Sequence, residues 1–343
     1  MDEKGTLDIK QAAKEILETI EREREREIIA RRFGLYDRKE TLEQIGELLG
    51  ITRERVRQLE KAILIRLKLA AEKDLPHINE IEKEFIKHLS EMGRVARVSD
   101  LASKVGTTGD DRDKAHVAFL SSLAPKLTVL DENDDYNQAV AIKEHYDEKQ
   151  LKSAVDSIVK TIKENKVPLT VPELHSKLTG YEHPDHVRAL ATISKHLATL
   201  KNQWGLVKWP LVNPKNIRDK IYVILQENEK PMHFSEISKK IKDSEFKRKD
   251  VTTQAIHNEL IKDSRFVLIG RGIYALKEWG YQKGTVADII ASILKKNKEP
   301  MHRDDIVREV LKSRQVKETT ILLNLQGKKQ FKRVAKATYS VAE

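Results

Sequence analysis

The 343 residues include no cysteine. A disulfide scaffold, a cysteine-ligated zinc finger and a thiol nucleophile are therefore excluded. Aromatic residues are scarce, at 5%, while charged residues make up 34%. That balance suits helical, surface-rich modules better than one large sandwich or barrel. No run approaches the roughly eighteen apolar residues of a membrane span. The opening MDEKGTLDIK is acidic and polar, unlike a signal peptide. A soluble, cytoplasmic protein is expected. Catalytic signatures are also missing: there is no P-loop, GxGxxG, HExxH or GxSxG. No enzyme activity and no cofactor are expected. His183 and His186 flank Asp185 in EHPDHVRAL, but a metal site needs further ligands. Nothing nearby supplies them, so this stretch reads as a loop and helix start, with no metal.

What the chain has in excess is positive charge. Lys and Arg number 64 against 54 Asp and Glu, for a net charge of +10 and a pI near 9.3. A basic chain suits a polyanionic partner. The charge is uneven: residues 1–75 are neutral, 76–147 carry −5, 148–214 and 215–280 carry +4 each, and 281–343 carry +7. The acidic segment reads as protein-facing. The last segment is the best candidate for nonspecific phosphate contact.

The chain is organised around residues 41–68, TLEQIGELLGITRERVRQLEKAILIRLK. Leu42, Ile45, Leu48 and Leu49 fall on one helical face. Val56, Leu59, Ile63 and Leu67 fall on one face of a second helix. Thr41 with Gln44 is a capping-box start, Gly50 suits a left-handed helix end, and Thr52 suits the next N-cap. Helix, short glycine turn, helix is a helix-turn-helix. With Val56 and Leu59 inward, Arg53, Glu54, Arg57, Gln58 and Lys61 point outward. Arg can bond guanine in a bidentate way, Gln adenine, and Glu can accept from cytosine. A recognition helix reads bases from its N-terminal turns.

These residues resemble region 4 of the sigma-70 family. The resemblance rests on the lead-in Arg32-Phe33-Gly34-Leu35, the helix beginning Thr41-Leu42-Glu43-Gln44-Ile45-Gly46, and the run TRERVRQLE over residues 52–60. It implies that Arg53, Glu54, Arg57 and Gln58 contact the bases and phosphates of a −35 promoter element, helped by Thr41, Thr52 and Lys61. It also implies docking on the β flap of RNA polymerase core. The alternative is a helix-turn-helix that binds protein, as a polymerase- or sigma-interacting scaffold or inhibitor without specific DNA readout.

Ahead of this stretch, residues 7–30 show one long helical pattern, with Leu7, Ala13, Ile16, Leu17, Ile20, Ile28 and Ile29 as its apolar stripe. The alternating block at residues 21–27 reads as solvated and salt-bridged. After Leu75-Pro76, a plausible boundary, come four approximate repeats, at 76–147, 148–214, 215–280 and 281–343. Each reads as helix, short strand, two helices and a hairpin, the order of a winged helix. In the first, residues 127–142 form a hairpin around the acidic turn at 131–135. In the second, residues 187–200 form the third helix and Trp204 starts the wing. Pro-Met-His recurs at 231–233 and 300–302, and the Phe266 to Tyr274 spacing recurs as Phe331 to Tyr339. Repetition at a fixed period indicates an array of like modules. The fold class expected is mainly α with small β-wings: an N-terminal helix-turn-helix domain over residues 1–75, then tandem winged-helix modules.

The third repeat, with KPMHFSEISKKI and SRFVLIGRGIYALKEWG, resembles the HARE-type helix-turn-helix, the winged module of the RNA polymerase delta subunit. The fourth resembles it more weakly: it keeps Pro300, Met301, His302, Phe331 and Tyr339 but has Val-Ala-Lys-Ala where the third has Ile-Gly-Arg-Gly. Gly270 and Gly272 read as turn residues. Between them Arg271 stands at a wing tip, where an arginine either enters a minor groove or stays solvated. Trp204, Trp209 and Trp279 read as packing residues, since base-stacking platforms gather several aromatics on one sheet face. The function expected is a sigma-like transcription regulator of a bacterial cytoplasm, associated with the nucleoid. It binds double-stranded DNA at a −35-like element and associates with RNA polymerase. No aromatic-rich melting region flanks the sigma-like part, so it is not expected to open promoters alone.

Overall fold

In the computed structural model the carboxylate of Asp8 opens the first helix, accepting from the amides of Lys10 and Gln11 at 3.0 Å each. The structure describes residues 8–106 and 111–342, so the expectation for Leu7 lies outside the described residues. The chain divides into two units, Met1–Val207 and Lys208–Glu343.

The single helix expected over 7–30 is two helices, α1 (Ile9–Glu18) and α2 (Glu23–Phe33). The Thr19 and Ile20 amides turn back onto the Ile16 and Leu17 carbonyls at 3.2 and 3.0 Å, and the Thr19 hydroxyl donates to the Ile16 carbonyl at 2.6 Å, which closes α1. Helix α2 then serves two cores: Ile29 joins that of Ile16, Leu17 and Ile20, and Ile28 packs with Ile45 and Val56 in another. The charged block is also less solvated than its alternation suggests. Glu25 is only 7% exposed, held between Arg22 and Arg66.

Next come α3 (Leu42–Leu49), α4 (Arg53–Ala71) and α5 (Ile78–Glu91). Then follow β1 (Val95–Arg97), α6 (Val98–Val105), α7 (Asp111–Leu123), β2 (Leu127–Leu130) and β3 (Ala139–Ile142). Strand β3 lies between β1 and β2, antiparallel to both. One hydrophobic core runs from α1, α2 and α4 into α5, α6 and α7, so Leu75 and Ile78, on either side of Pro76, bury side chains in the same cluster. Phe33 of α2 and Phe119 of α7 meet edge-on at 5.2 Å.

The same order repeats in α8 (Glu148–Asn165), β4 (Leu169–Thr170), α9 (Val171–Lys177), α10 (Pro184–Ile193), β5 (Leu197–Leu200) and β6 (Gln203–Leu206), with β6 central. The helix expected over 187–200 therefore stops at Ile193, and its last residues are a strand. Ser194 leaves the helix to bridge Tyr136. Lys201 and Asn202, both at positive φ (49° and 62°), make the two-residue hairpin turn whose twist matches paired strands. Trp204 accordingly sits on the returning strand, buried. The acidic hairpin of the first repeat is engaged by the second. Asp135 lies 2.8 Å from His196 Nε2, Glu132 accepts from Lys195 at 2.6 Å, and the Tyr136 hydroxyl donates to Asp156 at 2.6 Å.

The second unit holds two further copies. One comprises α11 (Ile217–Asn228), β7 (Met232–His233), α12 (Phe234–Asp243), α13 (Thr253–Lys262), β8 (Phe266–Gly270) and β9 (Ile273–Leu276). The other comprises α14 (Val286–Asn297), β10 (Met301–His302), α15 (Arg303–Ser313), α16 (Glu318–Gly327), β11 (Phe331–Ala335) and β12 (Thr338–Val341). In each, the last strand is central. The recurring Pro-Met-His places Met and His on the short strand, where the His side chain accepts from the second amide of the following helix. Tyr274 and Tyr339 pair opposite Met232 and Met301, which is why the Phe to Tyr spacing recurs. The architecture is mainly helical with small antiparallel sheets, as the pattern implied.

Candidate nucleic-acid interface

Two threonines start the helices of the helix-turn-helix. The Thr41 hydroxyl accepts from the Gln44 amide at 3.2 Å, while Gln44 Oε1 accepts from the Thr41 amide at 2.9 Å, the reciprocal capping box. The Thr52 hydroxyl accepts from the Arg55 amide at 3.2 Å. Both expected DNA-contacting threonines thus spend one lone pair on capping and keep an exposed hydroxyl. Between the helices Gly50 takes φ 63°, a conformation glycine adopts without steric cost. The Ile51 amide then donates to the Gly46 carbonyl at 2.9 Å. The approach is close: a Cβ on Gly46 would stand 2.7 Å from the Ile51 carbonyl oxygen.

Ile28, Ile45 and Val56 are fully buried beneath the turn, with Leu42, Leu49, Ile51 and Leu59 packed around them. Leu48, expected on this core face, is instead 55% exposed. An eight-residue helix resting on two neighbours buries a stripe too narrow to include it. Arg32 ties α2 to α4 through two hydrogen bonds of 3.1 Å to Glu60, and also donates to the Glu40 carbonyl at 2.8 Å. Arg31 donates to Glu27 and to Glu40 at 2.6 Å each. The Arg32–Glu60 bonds fix α4 against α2, and the Glu40 bonds fix the segment ahead of α3.

With Val56 at 0% and Ile63 at 1% exposure, the opposite face of α4 is set. Arg53, Glu54, Arg57, Gln58 and Lys61 are all exposed. Arg53, Arg57 and Lys61 follow one another at spacings of four, a cationic row about 12 Å long at 1.5 Å per residue. Three of the expected readers are already joined. Arg57 donates to Glu54 through Nε at 2.8 Å and Nη2 at 2.7 Å, and Gln58 donates to Glu54 at 3.3 Å. The Arg57 hydrogen bonds hold the Glu54 carboxyl well below the usual range, at about 2. In return, Glu54 raises Arg57. Arg55 was not singled out from the sequence, yet it is exposed in the first turn and donates to Gln58 Oε1 at 3.3 Å. Its spacing of three from Gln58 was the available signal. Among the described residues Arg53 and Lys61 make no such side-chain bond.

The comparisons with known proteins bear on this stretch. Residues 22–69 match the family model of Sigma-70, region 4. The match covers α2, the helix-turn-helix and most of α4. The RNA polymerase sigma factor SigA1 of Synechococcus elongatus is 45% identical over 65 residues, 19% of this chain and 15% of the relative. SigA of a Bacillus species is 43% identical over 61 residues, 18% and 16% of the two chains. The sigma factor sigB of Arabidopsis thaliana is 50% identical over 46 residues, 13% and 8%. This chain thus spans about 15% of the length of the first of these sigma factors, and residues 70–343 lie outside the family match.

The remaining candidates belong to other elements. Arg271 is exposed at the β8–β9 turn of the second unit. His183 caps α10 by accepting from the Asp185 amide at 3.2 Å. Among the described residues no group of three or more His, Asp or Glu is arranged to hold a metal ion. No helix among them is long and apolar enough to cross a membrane.

Proposed function

We propose that this protein is a sequence-specific transcription regulator that reads a −35-type promoter element in double-stranded DNA and associates with RNA polymerase core through the β flap. One observation carries the reading. The stretch matching Sigma-70, region 4 contains most of α4, whose outward face exposes Arg53, Glu54, Arg57 and Gln58 on the N-terminal turns, where a recognition helix meets base edges. Lys61, Arg55 and the exposed Thr41 and Thr52 add phosphate contacts, and Arg271 is a separate candidate for phosphate contact on the second unit. The four winged sets form modules at 76–147, 148–214, 215–280 and 281–343, the last two of the HARE type, which is consistent with a protein working beside polymerase in the nucleoid. Promoter opening by this chain alone is not part of the proposed role. Exposed Leu48, Ile65 and Leu69 on α3 and α4 favour the second reading, a polymerase- or sigma-binding scaffold or inhibitor without base readout. Binding to duplexes with and without a −35-like element separates the two. Arg53→Ala is expected to lose about 1–3 kcal/mol of preference for the element. A wild type without any preference sinks the DNA-reading proposal.

A further inference from the structure

The four hairpins share one topology and differ in charge. The first has the turn Asp131, Glu132, Asn133, Asp134 and Asp135, which is acidic and already occupied by Lys195 and His196. The second turns on Lys201 and Asn202, and the third on Arg271. The fourth is different. Lys328, Lys329, Lys332, Arg333 and Lys336 fall within nine residues, and no acidic residue occurs between Glu318 and Glu343. All five cations are exposed. Arg333 donates to the Ala335 carbonyl at 3.2 Å. Among the described residues no carboxylate is ion-paired with any of the five, although Asp288 senses Lys328 at longer range. Three of the five lie on or beside β11, the outer strand of its sheet, with Phe331 buried beneath as the anchor.

We infer that the β11–β12 hairpin is a sequence-independent clamp for the phosphate backbone of duplex nucleic acid. Five unpaired cations on one short ribbon release counterions when they meet phosphates, which supplies affinity without base readout. A two-stranded ribbon also matches the width of a DNA groove, and an outer strand presents its side chains without a neighbour in the way. An anionic lipid surface is the poorer fit: Val334 is the large apolar side chain exposed on β11, and stable membrane attachment needs more buried apolar area than that. The clamp does not depend on the −35 reading, since it requires no base contact.

The test uses the full chain and a duplex lacking any −35-like element. In Lys332→Gln/Arg333→Gln/Lys336→Gln, the slope of log K against log salt is expected to shrink by about 2 to 3, at roughly 0.9 per lost phosphate contact. The charge-conserving Lys332→Arg/Arg333→Lys/Lys336→Arg keeps the wild-type slope. If the glutamine variant loses its fold by circular dichroism, Lys328→Gln/Lys329→Gln, ahead of the strand, is expected to shrink the slope by about 2. An unchanged slope in folded variants overturns the clamp. So does a loss seen on anionic vesicles or single-stranded RNA but not on the duplex. Preference for the −35-like duplex, measured alongside, is expected to survive these substitutions. Its absence in wild type would defeat the promoter reading and leave the slope test intact.

Discussion

Glu54 and Arg57 form a two-point ion pair on the exposed face of α4, with bonds of 2.7 and 2.8 Å. In the free protein the guanidinium is held by a neighbour one turn away before any base is met. Removing the carboxylate with Glu54→Gln is expected to release Arg57 to pair with whichever base or phosphate is near. Affinity for nonspecific duplex then rises while discrimination at one base pair falls. Competition binding with single-base variants of the element checks this; unchanged discrimination argues against Glu54 as a reader.

The same pair sets a pH expectation. Arg57 lowers the Glu54 carboxyl to about 2, below its ordinary value. A lowered carboxylate contributes stability that is present above its unfolded pKa and is lost as pH falls through the folded one. DNA preference is therefore expected to show no Glu54 titration between about pH 5 and pH 8, where the group stays ionised. Carboxyl NMR of wild type and Arg57→Ala tests the cause: without Arg57 the midpoint moves up toward the usual carboxylate range.

Gly46 has no room for a side chain. Gly46→Ala puts a methyl group 2.7 Å from the Ile51 carbonyl, and the obstacle is backbone, which cannot rotate away. A loss of about 1–3 kcal/mol is expected, as for overpacked cores, together with weaker promoter preference as α4 tilts. Thermal unfolding and duplex binding report the two effects separately. Alanine tolerated in both would show that the turn is looser than described.

Phe119 is fully buried, and its ring meets Phe33 of α2, the helix that supports the helix-turn-helix. Phe119→Ala is expected to cost about 3–5 kcal/mol. Because the core is shared, a fragment of residues 1–75 is expected to fold poorly, while residues 1–207 fold alone. Amide NMR dispersion of the two fragments decides it.

Arg314 is 6% exposed and donates to the carbonyls of Leu268, Gln282 and Gly284, with the Gln282 bond at 3.1 Å. Burial pushes its guanidinium down from the ordinary value. Arg314 lies at the end of α15; the Leu268 carbonyl belongs to the preceding repeat, and the Gln282 and Gly284 carbonyls to the start of its own. Lysine cannot reach all three acceptors, so Arg314→Lys is expected to cost about 1–3 kcal/mol. It should also speed hydrogen exchange at Gln315, whose amide donates to the Ile269 carbonyl at 3.0 Å. Wild-type exchange in the variant would show that the Arg314 bonds are dispensable.

Local chemistry was readable from the chain alone. Caps at Thr41 and Thr52, the left-handed Gly50 and the inward Val56 and Ile63 follow from short-range sterics and helical period, so the helix-turn-helix and its outward residues could be named. The Pro-Met-His and Phe to Tyr repeats exposed the tandem copies because equivalent sheet positions demand equivalent residues. What folding decided was long-range. The break between α1 and α2 follows the turn of Thr19 and Ile20 back onto the end of α1, inside an unbroken apolar pattern. Leu48 is exposed because no neighbour covers it. The strand at Leu197–Leu200 exists because β6 pairs with it, against a helical pattern. The shared core across Pro76, the occupied acidic hairpin and the Glu54–Arg57 bond each join groups by shape and distance, which a linear pattern of residues does not encode.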